Sequence, residues 1–284
     1  MILLYWAEEK QEKVLGACMM NSKKVLSLTF EDILKQEEYI IWDSAVISSP
    51  DTNWYHKMVY DSVSFLGINL ETLGKEAEFL KYFLPFLENP NVFTVLGVAL
   101  EIDRTRKIVA DKIKFLKERE RFLGKREFEG KGEAQKELLE GIRDLFYEYY
   151  KELRKSLFIP QQKQIYHTLE EITIKVTEQT NSKIDYSRYY EKRVKPKRDP
   201  GFHADEQTVA AALYLSSIEG KKGGILTRDS DIERILKNTL NCRFLSGISD
   251  LITNNRIKIY YPTGVGKAHC RFNTTDFVYH ENMG

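Results

Sequence analysis

The stretch Gly223–Leu236, "GGILTRDSDIERIL", decides how the rest of the chain is read. Ile225 and Leu226 form a short apolar run suited to a buried strand, whereas Ile232, Ile235 and Leu236 recur at helical spacing. Thr227, Arg228, Asp229, Ser230 and Asp231 lie between them, so a core strand ends on two carboxylates. An Asp or Ser here is a natural helix N-cap, and Asp231 and Glu233 suit the positive end of a helix. The other reading is chemical, and it depends on whether acids stand at equivalent places elsewhere.

They do. In "YIIWDS" Asp43 follows an apolar strand as Asp229 follows "GILT". Ligands of parallel α/β sheets bind beyond the carboxyl ends of the strands, so the two aspartates are placed to face one crevice. Glu101 follows "NVFTVLGVAL", about two turns into a helix if Thr94 caps it, and Asp103 is close by. Asp205 opens "ADEQTVAAALYLS" in register with Val209 and Leu213, at the start of a core-facing stripe where an acid is costly unless partnered. Each acid also has a plain reading as a cap or a solvated side chain, and Glu206 and Asp231 read most simply as exposed charges.

Around these motifs the text is α/β. Short apolar runs alternate with helical patterns from Tyr39 to about Asp103 and again after about His203, with a hairpin through "TGVGK" after "RIKIYYP". "WYHKMVYDSVSFL" and "KEAEFLKYFLPFL" are expected helices. Between Arg104 and Phe202 strand patterns vanish. Leu138, Ile142, Leu145, Tyr149 and Leu153 recur at helical spacing, as do Ile165, Leu169, Ile172 and Val176, with Pro160 suited to a first turn. "KRVKPKRDPG" reads as an extended connector. The expected organisation is a short α/β extension over 1–38, a core from 39–103 and 203–284, and a helical insertion over 104–202.

Composition excludes several classes. The 284 residues are 42% hydrophobic and 30% charged, which suits a folded chain, and 43 basic residues nearly balance 42 acidic ones. Net charge therefore points to no polyanionic partner. Cys18, Cys242 and Cys270 are odd in number and far apart, as expected of reduced thiols in the cytoplasm. "MILLYWAEEK" is a poor signal peptide, and no apolar stretch has the length of a membrane span. "PTGVGKAH" lacks the first glycine and the metal-binding hydroxyl of a P-loop, and His269–Cys270 is a poor zinc pair.

Taken in order, "IIWDSAVIS", "NVFTVLGVALEI", "ADEQTVAAALYLS" and "GGILTRDSDI", with "IKIYYP" as a last core strand, resemble the PIN-domain superfamily of metal-dependent nucleases over about 39–103 and 203–262. The resemblance implies a parallel-sheet core with helices on both faces. It also implies an acidic cluster at Asp43, Glu101, Asp205 and Asp229, with Asp231 as a further acid and Ser44 and Thr227 as supporting polar residues. Ala45 stands where family members often carry a polar residue, and the helical segment is larger than a minimal member has. Clustered carboxylates need a cation to stay ionised together, and Mg²⁺ or Mn²⁺ favours oxygen ligands. The implied activity is phosphodiester hydrolysis, most readily of single-stranded RNA, with DNA left open.

Charge is uneven enough to hold such a substrate. Residues 104–126 carry ten basic against three acidic residues, among them Arg104, Arg106 and Lys107. Residues 188–198 carry six against one: Arg188, Lys192, Arg193, Lys195, Lys197 and Arg198, beside Tyr189 and Tyr190. Residues 256–271 carry four and no acid, with Tyr260 and Tyr261. Lys and Arg neutralise phosphates and aromatic faces stack bases. Two alternatives stay open: a non-catalytic module that binds nucleic acid or protein on the same scaffold, and a different α/β phosphoesterase whose acids coincide by chance. The helical insertion also offers a place for a protein partner or a second copy of the chain.

Overall fold

A computed structural model describes residues 27–47, 70–123, 131–180, 203–242, 256–264 and 266–276. The expected helix "WYHKMVYDSVSFL" and the connector "KRVKPKRDPG" lie outside these residues.

The described elements form a mixed α/β fold. Strands β1 (Ser27–Thr29), β2 (Tyr39–Trp42), β3 (Val92–Phe93), β4 (Gly223–Leu226), β5 (Ile257–Gly264) and β6 (Lys267–Asn273) make one sheet in the order β1-β6-β5-β4-β2-β3. Four neighbouring strands, β5-β4-β2-β3, are parallel, with β3 at one edge, and β6 and β1 add antiparallel on the β5 side. The helices are α1 (Phe30–Gln36), α2 (Leu70–Phe83), α3 (Leu96–Leu123), α4 (Lys131–Lys155), α5 (Lys163–Thr180), α6 (Ala204–Ser217) and α7 (Ser230–Asn241).

Buried apolar runs account for the central strands. All four side chains of β2 are buried, as are all four positions of β4, which is what a parallel strand covered on both faces requires. Tyr39 donates its hydroxyl to the Ala212 carbonyl of α6, whereas Trp42 stacks on Tyr149 of α4 with ring centroids 5.7 Å apart. Residues three apart in a strand face opposite sides, so α6 covers one face of the sheet and α4 the other. The paired glycines of β4 make room for neighbouring rings. A Cβ on Gly223 would collide with Tyr39, and one on Gly224 would lie 2.7 Å from the Lys258 carbonyl and 2.8 Å from the Tyr260 ring.

The long helical stretch is built into this core. α4 packs on α2 and α3, and α5 on α6 and α7. The Tyr149 hydroxyl donates to the Leu80 carbonyl at 2.5 Å. At the other end of the chain order, β1 and α1 belong to the same assembly, since β1 pairs with β6 and Phe30 packs on Phe83 and Phe86. Two local expectations fail. Pro160 precedes α5, which starts at Lys163, and is not in its first turn. Thr94 does not cap α3: its hydroxyl donates to the Trp42 carbonyl, and the Gly97 N–H in the first turn of α3 is taken instead by the Gln207 side chain at 2.9 Å.

Candidate functional site

The chain leaves β2 toward β3 on one side and later returns to β4 on the other side of β2. The carboxyl ends of β2 and β4 therefore flank a topological switch point, where connections diverge and leave a crevice. Trp42 pairs with Leu226 in register, so the next residues on each strand, Asp43 and Thr227, stand side by side. The Asp43 N–H donates to the Leu226 carbonyl at 3.1 Å.

From this register a small network follows. Thr227 Oγ1, fully buried, donates to Asp43 Oδ2 at 2.6 Å and accepts from the Asp229 N–H at 2.8 Å. Asp229 is the N-cap of α7, its Oδ1 accepting from the Asp231 N–H at 2.7 Å. Asp43 in turn caps a short 3₁₀ turn, Ser44–Val46, through a 3.3 Å contact from the Ala45 N–H. Ser44 Oγ donates to Glu101 Oε2 at 2.6 Å, which ties the α3 acid to the residue beside Asp43. The capping reading of Asp43 and Asp229 is thus correct, and it coexists with their convergence.

Charge shows how close the acids stand. Asp43 is 1% exposed, and its pKa is pushed up to about 7. Burial is the main cause, the Asp205 carboxylate adds to it, and Asp229 adds further; the hydrogen bonds from Thr227 and the Ala45 N–H pull the other way. Asp43 Oδ1 is buried without a hydrogen-bond donor. Asp205, in the first turn of α6, is partly exposed, as are Asp229 and Glu101. Asp205 and Asp229 therefore both act on Asp43, and Glu101 is tied to the neighbouring Ser44.

Two acids expected in solvent are not there. Asp231 is 3% exposed and forms an ion pair with Arg234, and Glu206 is 2% exposed with His203 Nδ1 at 3.7 Å. A helical stripe predicts which positions point inward, but not that an inward acid finds a partner one turn away. Of the basic residues, Arg106 and Lys107 hold Asp103 at 2.8 and 2.6 Å, Arg106 also lies over the Tyr147 ring, and Arg104 is partly buried on α3. Arg188, Lys192, Arg193, Lys195, Lys197 and Arg198 lie outside the described residues. Sequence reading missed the roles of Gln207 at the start of α3 and of Tyr261, whose hydroxyl donates to the Asp229 carbonyl at 2.8 Å. The sequence signals for Tyr261 are its place beside the basic residues of 256–271 and on the expected last core strand, neither of which points to Asp229.

Among the described residues, no group of three or more His, Cys, Asp or Glu side chains stands ready to hold a metal ion. The donor chemistry nonetheless fits a hard cation: the converging groups are carboxylates, and Asp43 offers a buried oxygen lacking a donor. An ion that keeps several waters needs few protein ligands, as Mg²⁺ commonly does. Comparison with protein families, with curated proteins and with solved structures gave no match. What the structure defines is a mixed α/β chain with neighbouring acids at the carboxyl ends of its parallel strands β2 and β4.

Proposed function

We propose that this chain is a PIN-like, metal-dependent nuclease that hydrolyses phosphodiester bonds in single-stranded RNA, with the 104–202 helices as its elaboration of the minimal core. The observation that carries the reading is the Asp43 carboxyl at the switch point, raised in pKa first by burial and then by Asp205 and Asp229, and holding an oxygen without a donor. Evolving a fold that buries an acid among acids costs stability, and such sites concentrate where chemistry needs them.

Hydrolysis joins a water oxygen to phosphorus, breaks one P–O bond to the sugar and moves a proton to the departing oxygen. A bound Mg²⁺ or Mn²⁺ would make water more acidic there and offset charge on the phosphate. Asp43 and Asp229 are the residues to hold it, with Asp205 and Glu101 completing the surroundings. Thr227 fixes Asp43 and the Asp229 backbone together through one hydroxyl, and Ser44 orients Glu101. Arg104, Arg106 and Lys107 offer positive charge on α3; surface ion pairs such as Lys107–Asp103 are weak enough to exchange for phosphate.

A second reading has one observation in its favour: Asp43 and Asp229 both serve as caps, so a binding module would keep them for folding alone. Cleavage of end-labelled single-stranded RNA and DNA separates the two. With Mg²⁺ or Mn²⁺ the full chain cuts RNA, EDTA stops it, and Asp43→Asn and Asp229→Asn, checked for folding, lose at least a hundredfold in rate, on the order expected when charge stabilisation at the reacting centre is removed. Binding without cutting by the folded wild type would select the module.

A further inference from the structure

An acidic crevice repels the polyanion it is meant to cut, so cations must lie within a short distance of the acids. Several near the site are engaged: Arg234 pairs with Asp231, and Arg106 and Lys107 share Asp103. The β5–β6 hairpin presents another. Tyr261 on β5 lies beside the crevice, its hydroxyl bonded to the Asp229 carbonyl. The same ring is covered by a guanidinium on β6.

Arg271 on β6 sits over the Tyr261 ring, its guanidinium carbon 4.5 Å from the centroid, and His269 stacks on the ring at 6.1 Å. The Arg271 side chain is 47% exposed. Its Nε lies 3.0 Å from Glu233 Oε2, yet that oxygen has no hydrogen-bond partner, so the contact is a charge pairing and not an aimed bond. Glu233 is also held by Lys237 at 2.6 Å, and Lys237 lies over Phe272 at 4.9 Å. Two cations, Arg271 of β6 and Lys237 of α7, therefore share the Glu233 carboxylate of α7. A guanidinium has five donors in a planar fork, and the pairing with Glu233 lies on its Nε side.

We infer that Arg271, carried on the Tyr261 ring, is a positioning residue that grips a backbone phosphate of single-stranded RNA next to the scissile bond. The inference rests on the nuclease reading of the acids. Held so, the strand runs from the hairpin edge across the carboxyl end of β4 into the crevice. Tyr261 couples the two halves, because the residue that supports the guanidinium also fixes the backbone of Asp229. Arginine suits this place better than lysine, since a planar fork lies flat on a phenol ring while still reaching phosphate oxygens.

The test uses the full chain and a fluorescently labelled single-stranded oligouridylate. Binding is measured by anisotropy in EDTA over a range of salt, and cleavage kinetics in Mg²⁺ or Mn²⁺. Arg271→Ala is expected to weaken binding about threefold to tenfold and to lower the salt slope by about one, as loss of one phosphate contact does. KM should rise more than kcat falls, and Arg271→Lys should restore the salt slope but only part of the affinity. A wild type that cuts RNA, with an Arg271→Ala variant of unchanged affinity and salt slope, overturns this inference and leaves the nuclease reading standing. A wild type that neither binds nor cuts overturns both. Loss of kcat alone, at unchanged KM and binding, also overturns the assignment of Arg271 to the strand.

Discussion

The Asp43 carboxyl is held neutral by its surroundings to about pH 7, whereas an unfolded aspartate ionises near 3.8. The sign of the linkage follows. Below about pH 4 the side chain is protonated in both states and carries no penalty. As pH rises toward 7 the unfolded chain releases the proton first, so folding loses free energy, and above 7 the loss is constant. The difference corresponds to about 4 kcal/mol at most. In EDTA, Asp43→Asn should therefore gain in melting temperature relative to wild type as pH goes from about 4 to 7, and hold that gain above. Parallel curves across this range would mean that Asp43 ionises as an ordinary aspartate and that the acids do not converge. The residue scale is also where sequence reading was most uneven. Asp43, Asp205 and Asp229 were legible because strand ends and helix starts are local signals. Asp231 and Glu206 were misplaced because their burial depends on Arg234 and His203, which meet them only once the helix has formed.

At the scale of elements, the β4–α7 junction carries two roles that one substitution can separate. Asp229 caps α7, and its charge acts on Asp43. Serine caps a helix about as well as aspartate but brings no carboxylate. Asp229→Ser should keep stability within about 0.5 kcal/mol in denaturant titration while cleavage falls as far as it does in Asp229→Asn. Retained cleavage would reduce Asp229 to a cap. β4 itself was readable from Ile225 and Leu226, but its glycines were not explained by their neighbours in sequence. They are set by Tyr39 and Tyr260, which lie on other strands and press on β4 from across the sheet. The misassigned Thr94 has the same origin. A threonine ahead of a helix reads as a cap, yet the nearby Trp42 carbonyl claims its hydroxyl, while Gln207, over a hundred residues away, supplies the contact at the helix start.

For the whole molecule, the question is whether the helices between Arg104 and Phe202 are an attachment or a part of the core. Sequence reading marks them off because strand patterns stop there, and periodicity cannot say what an amphipathic face packs against. The contacts give the partners. Trp42, one residue before Asp43, stacks on Tyr149 of α4; Tyr149 donates to Leu80 of α2; and α5 packs on α6, the helix that carries Asp205. Tyr214 of α6 packs edge-on to Phe158 and Tyr166 and accepts the Gln162 N–H at 2.9 Å, which fastens the start of α5 to the same helix. Two of the acids in the crevice are thus backed by helices from this stretch, so unfolding it would strip the support from the site. Denaturant unfolding should accordingly show one transition for the described body, with far-ultraviolet circular dichroism, dominated by the long helices, coinciding with the loss of near-ultraviolet signal from buried aromatic residues such as Trp42 and Tyr149. Helical signal that melts separately, with the aromatic signal and cleavage intact, would make the helices an independent unit. A single transition would instead mean that substrate contacts on α3 and the acids of the crevice are held in one cooperative frame, as a site assembled from both requires.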